Sequence, residues 1–286
     1  MRTIFALCSI LAFSGCAIII APDGNDARFE TAWSSNAIKG NGDVTSDKRQ
    51  VNGLAALSVS GPMQVEVRVG AAPGLEIIGD SNLLNLVQTQ VSGDTQKIWI
   101  DEKFNSNNPI RVVYTVPAVT EITSNGSGRL MVNGLNGGNL SVRNYGSRSV
   151  NLDGNVSRID IVNTGSGSIN ALGLMSKDAK VNLQGSGSLN LGAVNGNELA
   201  ITVNGSGSVH ASGNVRNLVA QTHGSGSADL SAVKSLSADL NSYGSGSVTA
   251  AVSQNVNAQS NGSGSVNVYG NPAQRNVNGR RVNFIN

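Results

Sequence analysis

Eight near-copies of Gly-Ser-Gly-Ser recur along this chain, beginning at Gly126, Gly146, Gly165, Gly185, Gly205, Gly224, Gly244 and Gly262. The intervals between them are 20, 19, 20, 20, 19, 20 and 18 residues. A motif on a fixed period of this length marks one structural unit repeated, with each unit stacked on the one before. Few folds are compatible with that constraint.

The residues around each glycine alternate. After the complete copies come Ile169, Leu189, Val209, Ala228, Val248 and Val266. Two positions further on stand Ala171, Leu191, Ala211, Leu230, Ala250 and Val268. Between these lie Asn170, Asn190, His210, Asp229, Thr249 and Asn267. Four residues before the glycines the chain reads Ile122, Val142, Ile161, Val181, Ile201, Ala220, Leu240 and Ala258. Apolar residues at every second position describe a strand with one buried face. No 3.6-residue stripe persists, and a glycine in every unit opposes helix. A single unit cannot bury its apolar face alone. Coiling the units buries it against equivalent residues in the neighbouring turns. The expected fold is therefore all-β: a right-handed parallel β-helix, or solenoid, with rungs of about 20 residues, the hand following the usual crossover preference. At about 4.8 Å per rung the seven intervals span roughly 34 Å.

Each unit is expected to hold a strand, the Gly-Ser corner, a second strand and a looser return through Gly, Asn or Ser. Glycine suits the corner because it accepts positive φ and close backbone approach. Two residues before the glycines runs a small polar column that includes Ser124, Asn144, Asn163, Thr222, Ser242 and Ser260. If these side chains face inward they must form a hydrogen-bonded ladder, because an unpaired buried polar group costs roughly 1–3 kcal/mol. Arg129 and Arg148 interrupt the motif in the first two copies, so those corners are expected to be looser.

The rest of the chain divides around this array. Residues 1–15 read as a lipoprotein-type signal peptide: Arg2, an apolar run from Ile4 to Phe13, then Phe13-Ser14-Gly15-Cys16, which resembles a lipobox with Cys16 as the lipidated residue. Cleavage after Ala17, or an uncleaved anchor extended through Ile18, Ile19 and Ile20, are the alternatives. All three place the body outside the cytoplasm. In a Gram-negative cell, Ala17 after the cysteine favours the outer membrane, with a secreted or periplasmic location as the alternative. Residues 16–49 read as a flexible polar spacer, with Trp33 packing on the edge of the body. Residues 50–123 are expected to form irregular N-terminal β rungs, 124–270 the regular solenoid and 271–286 a C-terminal cap.

Composition narrows the function. Charged residues are 13% and aromatics 4% of the chain, and net charge is +2. No basic stripe with interleaved aromatics exists, so nucleic acid is not an expected partner. Cys8 and Cys16, the only cysteines, both precede the body, which leaves it without a disulfide or thiolate metal site. Calcium-binding β-rolls carry Asp in every turn where this chain has Ser. No Walker lysine accompanies the glycines. No cofactor or metal is expected. The best polar pair is His210 with Asp229 one rung away, read as a surface pair. His223, flanked by Asn204 and Tyr243 in its column, is read as exposed. Tyr145 and Tyr243 are the aromatic candidates at the corners for a binding face.

Two hallmarks identify a family resemblance over roughly Val51 to Phe284. One is LSVSGPMQVEVRVG followed by LEIIGDSNLL and VSGDTQKIWI; the other is the set of NGSGS-like corners closing on VNVYGNP at Val266–Pro272. The chain resembles the bacterial head GIN domain, described as an autotransporter adhesin head. That resemblance implies a stacked all-β body and an adhesive role. Residues from Asn271 onward offer no membrane barrel, so self-export is not expected. The expected function is a non-catalytic, exported, lipid-anchored cell-envelope protein that binds a surface protein or glycan. The alternatives are a structural periplasmic spacer and a carbohydrate-active β-helix enzyme.

Overall fold

In the computed structural model, which describes residues 37–70 and 72–285, the repeats form a parallel β-solenoid. The corner glycines stack in one column. Gly126, Gly146, Gly165, Gly185, Gly205, Gly224, Gly244 and Gly262 pair in succession as direct register partners. Each lies at positive φ, between 105° and 137°.

The corner is held by a repeated hydrogen bond. The carbonyl of Gly185 accepts from the N–H groups of Ser206 and Gly207, both at 3.0 Å. Gly146, Gly165, Gly205 and Gly224 do the same with the next rung. This close approach excludes a side chain. A Cβ on Gly205 would lie 2.5 Å from the Gly185 oxygen, and one on Gly246 only 1.8 Å from the Gly226 oxygen. Glycine is thus required twice over, by φ and by the stack.

Both apolar columns face inward as the alternation requires. Ile122, Val142, Ile161, Val181, Ile201, Ala220, Leu240 and Ala258 are all buried, as are Ile169, Leu189, Val209, Ala228, Val248 and Val266. The return is not loose. Single strands run from one corner to the next, such as Ser188–Gly205 and Ser227–Gly244. Register shifts and positive-φ glycines such as Gly154 and Gly213 take up the bend. Pairing on both sides satisfies most backbone groups along the rung outside those shifts, which a loop would leave to water.

The polar column does face inward, but its bonds run mainly within each rung. Asn144, Asn163, Ser242 and Ser260 each donate to the carbonyl four residues on, at 2.7–3.0 Å. One bond joins rungs, from Asn144 Nδ2 to Asn163 Oδ1 at 2.9 Å. In the middle of the column Leu183 and Val203 take the place of polar residues, and the buried Thr222 hydroxyl beyond them has no partner. Arg148 is the other departure. It is fully buried and donates to the carbonyls of Met63 (2.6 Å) and Gly61 (2.5 Å). Burial without a carboxylate brings its guanidinium down to about 10. The second corner is therefore filled rather than loose.

Most strands of residues 50–123 join the same stack in an order unlike their sequence, while Phe104–Asn105 pairs with Ile38–Lys39 in a separate two-stranded sheet. Ala56–Ser60 pairs with Glu121–Gly126 on one side and with Thr95–Trp99 on the other. Gly61, at φ 101°, with Pro62 and Met63 forms one more corner beneath Gly126. Antiparallel strands finish this end: Gln88–Ser92 on Thr95–Trp99, and Gly74–Asp80 on Arg111–Val116. The expected spacer is corrected here. Ile38–Lys39 and Val44–Arg49 are strands, the latter antiparallel to Gly74–Asp80. Buried Asp80 helps fix this region. It accepts from Ser106 Oγ (2.6 Å) and Asn108 Nδ2 (2.7 Å), which hold its carboxyl below the usual range. Cys16 and Trp33 lie outside the described residues. At the far end, Gln274–Asn278 and Val282–Ile285 form a further parallel rung with a shortened corner at Gly279. The stretch expected as a cap thus continues the stack. Among the described residues no helix is long and apolar enough to cross a membrane.

Two pairs of substitutions test this account. Gly205→Ala should lower stability by about 3 kcal/mol or more, whereas Gly137→Ala, also at positive φ but facing open space, should cost about 1 kcal/mol. Denaturant titration of both variants separates the stacking effect from φ. Thr222→Val should raise stability by about 1 kcal/mol and Asn163→Leu lower it by about 2 kcal/mol. The thermal unfolding midpoints should move in opposite directions.

Candidate functional site

The residues singled out in the sequence lie on the outside of the rod. His210 and Asp229 are register partners on adjacent rungs. Their Nδ1 and Oδ2 atoms are 3.8 Å apart, and both side chains are about half exposed, at 54% and 50%. Ser231 is the principal partner of the carboxylate, with Oγ at 2.7 Å and N–H at 3.1 Å. Those bonds, with a smaller contribution from His210, hold Asp229 below the usual range. An exposed pair of this kind contributes little. His223 stacks on Tyr243 with centroids 4.9 Å apart and planes 7° from parallel, and Asn204 is its neighbour on the other side. Tyr145 occupies the same column as Tyr243, five rungs away, or about 24 Å. The two tyrosines therefore form no common patch. Among the described residues no three His, Cys, Asp or Glu side chains converge on one point.

Two grooves, which the repeat pattern did not reveal, are better formed. Both run parallel to the rod axis in its C-terminal half. The first, of about 530 Å³, lies over the floor column Leu218, Ala238, Val256 and Arg275. Asn217, Ser237, Asn255 and Gln274 form one wall; Val219, Asp239, Asn257 and Asn276 form the other. Its amides stack rung on rung. Asn255 Nδ2 donates to Ser237 Oγ (3.2 Å), Asn257 Nδ2 to Asp239 Oδ1 (3.3 Å) and Asn276 Nδ2 to Asn257 Oδ1 (3.1 Å). Arg275 closes the end, lying over the Phe284 ring at 4.2 Å. Each amide offers four hydrogen-bonding positions and spends at most two in the ladder.

The second groove, of about 570 Å³, follows the bend of the rungs. Its floor column is Gly196, Val215, Ser235, Val252 and Gly270. Asn214, Lys234, Ala251 and Tyr269 line one side and Arg216, Leu236 and Ser253 the other. The sequence signal for it was faint: small residues at the bend, read as a loose return, flanked by outward side chains that follow no repeat rule.

Comparison with known proteins agrees with the geometry. The family described as "Putative auto-transporter adhesin, head GIN domain" matches residues 53–177 and 172–272, well over half of the chain. A "putative adhesin" of Parabacteroides merdae has a similar structure, with a TM-score of 0.67 and 19% identity over 88% of this chain and 100% of that one. A "putative lipid binding protein" of Parabacteroides distasonis aligns with a TM-score of 0.64 and 19% identity, over 87% and 100% of the two chains. At such identity the likeness is one of fold. No curated protein matches the chain.

The exposed His–Asp pair gives a direct test. Asp229→Asn should change stability by less than about 0.5 kcal/mol. Thermal unfolding of the variant beside the parent checks this.

Proposed function

The chain belongs to the head GIN domain family, and on that premise we propose that it is an exported, non-catalytic binding protein of the bacterial cell envelope. The lipobox-like Phe13-Ser14-Gly15-Cys16 supports a lipid on Cys16 that tethers the body, with the outer membrane as the membrane concerned. The adhesin descriptions of the family and of a structural neighbour support a surface role.

The observation that carries the binding reading is the first groove. Its walls repeat amide groups at the rung spacing, with one hydroxyl at Ser237 and one carboxylate at Asp239, on a frame that stacking makes rigid. An extended glycan or peptide laid along the axis would meet the same kind of contact every 4.8 Å or so. Contacts that are weak one by one then sum because they are held at fixed spacing. A carbohydrate-active enzyme would need a pair of carboxylates facing each other across a cleft. In this groove Asp239 is the only carboxylate among the lining residues.

A structural spacer is the second reading, and the ladder bonds themselves favour it. Amides that satisfy one another also make a quiet, soluble surface. Glycan-array screening and pulldown from envelope extracts, using a soluble body that begins before Ile38, distinguish the two. Saturable binding that falls at least fivefold in Asn255→Ala/Asn257→Ala is expected for the binding protein. Silence in both assays would favour the spacer. Mass spectrometry of the membrane-associated protein should show a diacylated or triacylated Cys16 at the mature N-terminus.

A further inference from the structure

We infer that the bend groove binds a single-chain fatty-acid carboxylate, its head between Arg216 and Lys234 and its tail running past Leu236 and Ala251 to Tyr269. This goes beyond the adhesive reading, which rests on the other groove.

Most polar groups in the bend groove are already engaged. Along the floor, Gly196, Val215, Ser235 and Val252 are successive register partners, so inter-rung pairing engages the main chain there. The polar side chains are engaged as well. Ser235 Oγ donates to the Ala251 carbonyl (2.9 Å) and Ser253 Oγ to the Ser235 carbonyl (3.1 Å). Asn214 donates to Asn195 Oδ1 through both its main chain (3.0 Å) and its amide (3.1 Å). A hydroxyl-rich ligand would find few unengaged partners here.

Two cations remain. Arg216 and Lys234 are both exposed, and neither has a hydrogen-bond or ion-pair partner among the described residues. They stand on opposite sides of the floor and one rung apart, because Asn214 pairs with Lys234 and Val215 with Ser235. The nearest carboxylate by register is Glu198, the partner of Asn217, and it makes no ion pair with either. An anionic group placed between the two cations gains both without displacing an existing partner.

Beyond the engaged Asn214, Ser235 and Ser253, the side chains that line the rest of the groove are mainly apolar. Leu236 and Tyr269 are large hydrophobic side chains left 43% and 40% exposed, and Ala251 lies between Lys234 and Tyr269 in the column. From the Arg216 rung to the Tyr269 rung is three intervals, about 14 Å. The groove is therefore polarised, with positive charge at one end and an apolar track at the other. That is the complement of a carboxylate on a linear hydrocarbon chain. An acidic peptide or a uronate glycan matches the cations but leaves its polar backbone or hydroxyls against Leu236 and Tyr269.

The test is calorimetric titration of the purified full chain with hexadecanoate below its micelle-forming concentration. Saturable 1:1 binding is expected. The uncharged methyl hexadecanoate should bind at least tenfold more weakly. Across shorter fatty acids the affinity should change about twofold per methylene, half the increment for complete burial, because the groove is open. Arg216→Glu/Lys234→Glu, at exposed positions, should weaken hexadecanoate binding at least tenfold with the unfolding midpoint unchanged. Leu236→Asn should shorten the range over which added methylenes help. Absence of saturable binding would overturn the inference, as would full affinity in the charge-reversed variant. So would tighter binding of an oligo-glutamate peptide or of an oligouronate than of hexadecanoate.

Discussion

At five of the corners a glycine carbonyl oxygen receives two N–H groups from the next rung, and the rest of the solenoid is arranged around that contact. It sets the separation of the rungs where the chain turns most sharply. It fixes the register, since glycine must meet glycine. It also keeps side chains off the first glycine of each corner, and off the second wherever the copy retains it, because a Cβ would crowd the backbone of the rung before. The strands between corners can then vary widely, from Leu189 to Ala228 at one inward position, while the stack keeps its spacing.

The interior shows how far that variation extends. Most of the polar column near the corners survives by donating to carbonyls in its own rung, so those members do not depend on the chemistry of their neighbours. This explains why Leu183 and Val203 can replace polar residues in mid-column without breaking a chain of bonds. Arg148 uses the same space differently. Where other copies have the second glycine, its side chain reaches back to the carbonyls of Gly61 and Met63, tying the repeat array to the rung formed by residues 56–69. A buried cation held only by carbonyls is costly. Here it links the regular array to the irregular end.

The exterior is where function enters. A rigid rod with identical rise per rung converts a sequence column into a line of side chains at constant spacing. The two grooves are two uses of that property. One presents stacked amides, and the other sets two unpaired cations beside an apolar track. Neither depends on a loop, so each gains its precision from the stack itself.

Periodicity alone determined much of the protein. The interval between glycines implied rungs, the alternation around them implied which residues face in, and both follow from local rules of strand geometry. His223 beside Tyr243 and His210 beside Asp229 were legible for the same reason, since equal spacing means vertical adjacency. Where the period fails, the sequence still marks strands in residues 50–123 but not the order in which they pair. That Ala56–Ser60 lies beneath Glu121–Gly126, with Gly74–Asp80, Gln88–Ser92, Thr95–Trp99 and Arg111–Val116 finishing that end, required the tertiary structure, because pairing between distant segments depends on which edges remain open. The strands at 38–49 were hidden likewise, since their polar residues gain order from a partner strand and not from an apolar face. The grooves were decided only in three dimensions. Their walls come from residues some twenty apart, and whether a polar atom there is free or engaged depends on contacts that no single rung contains.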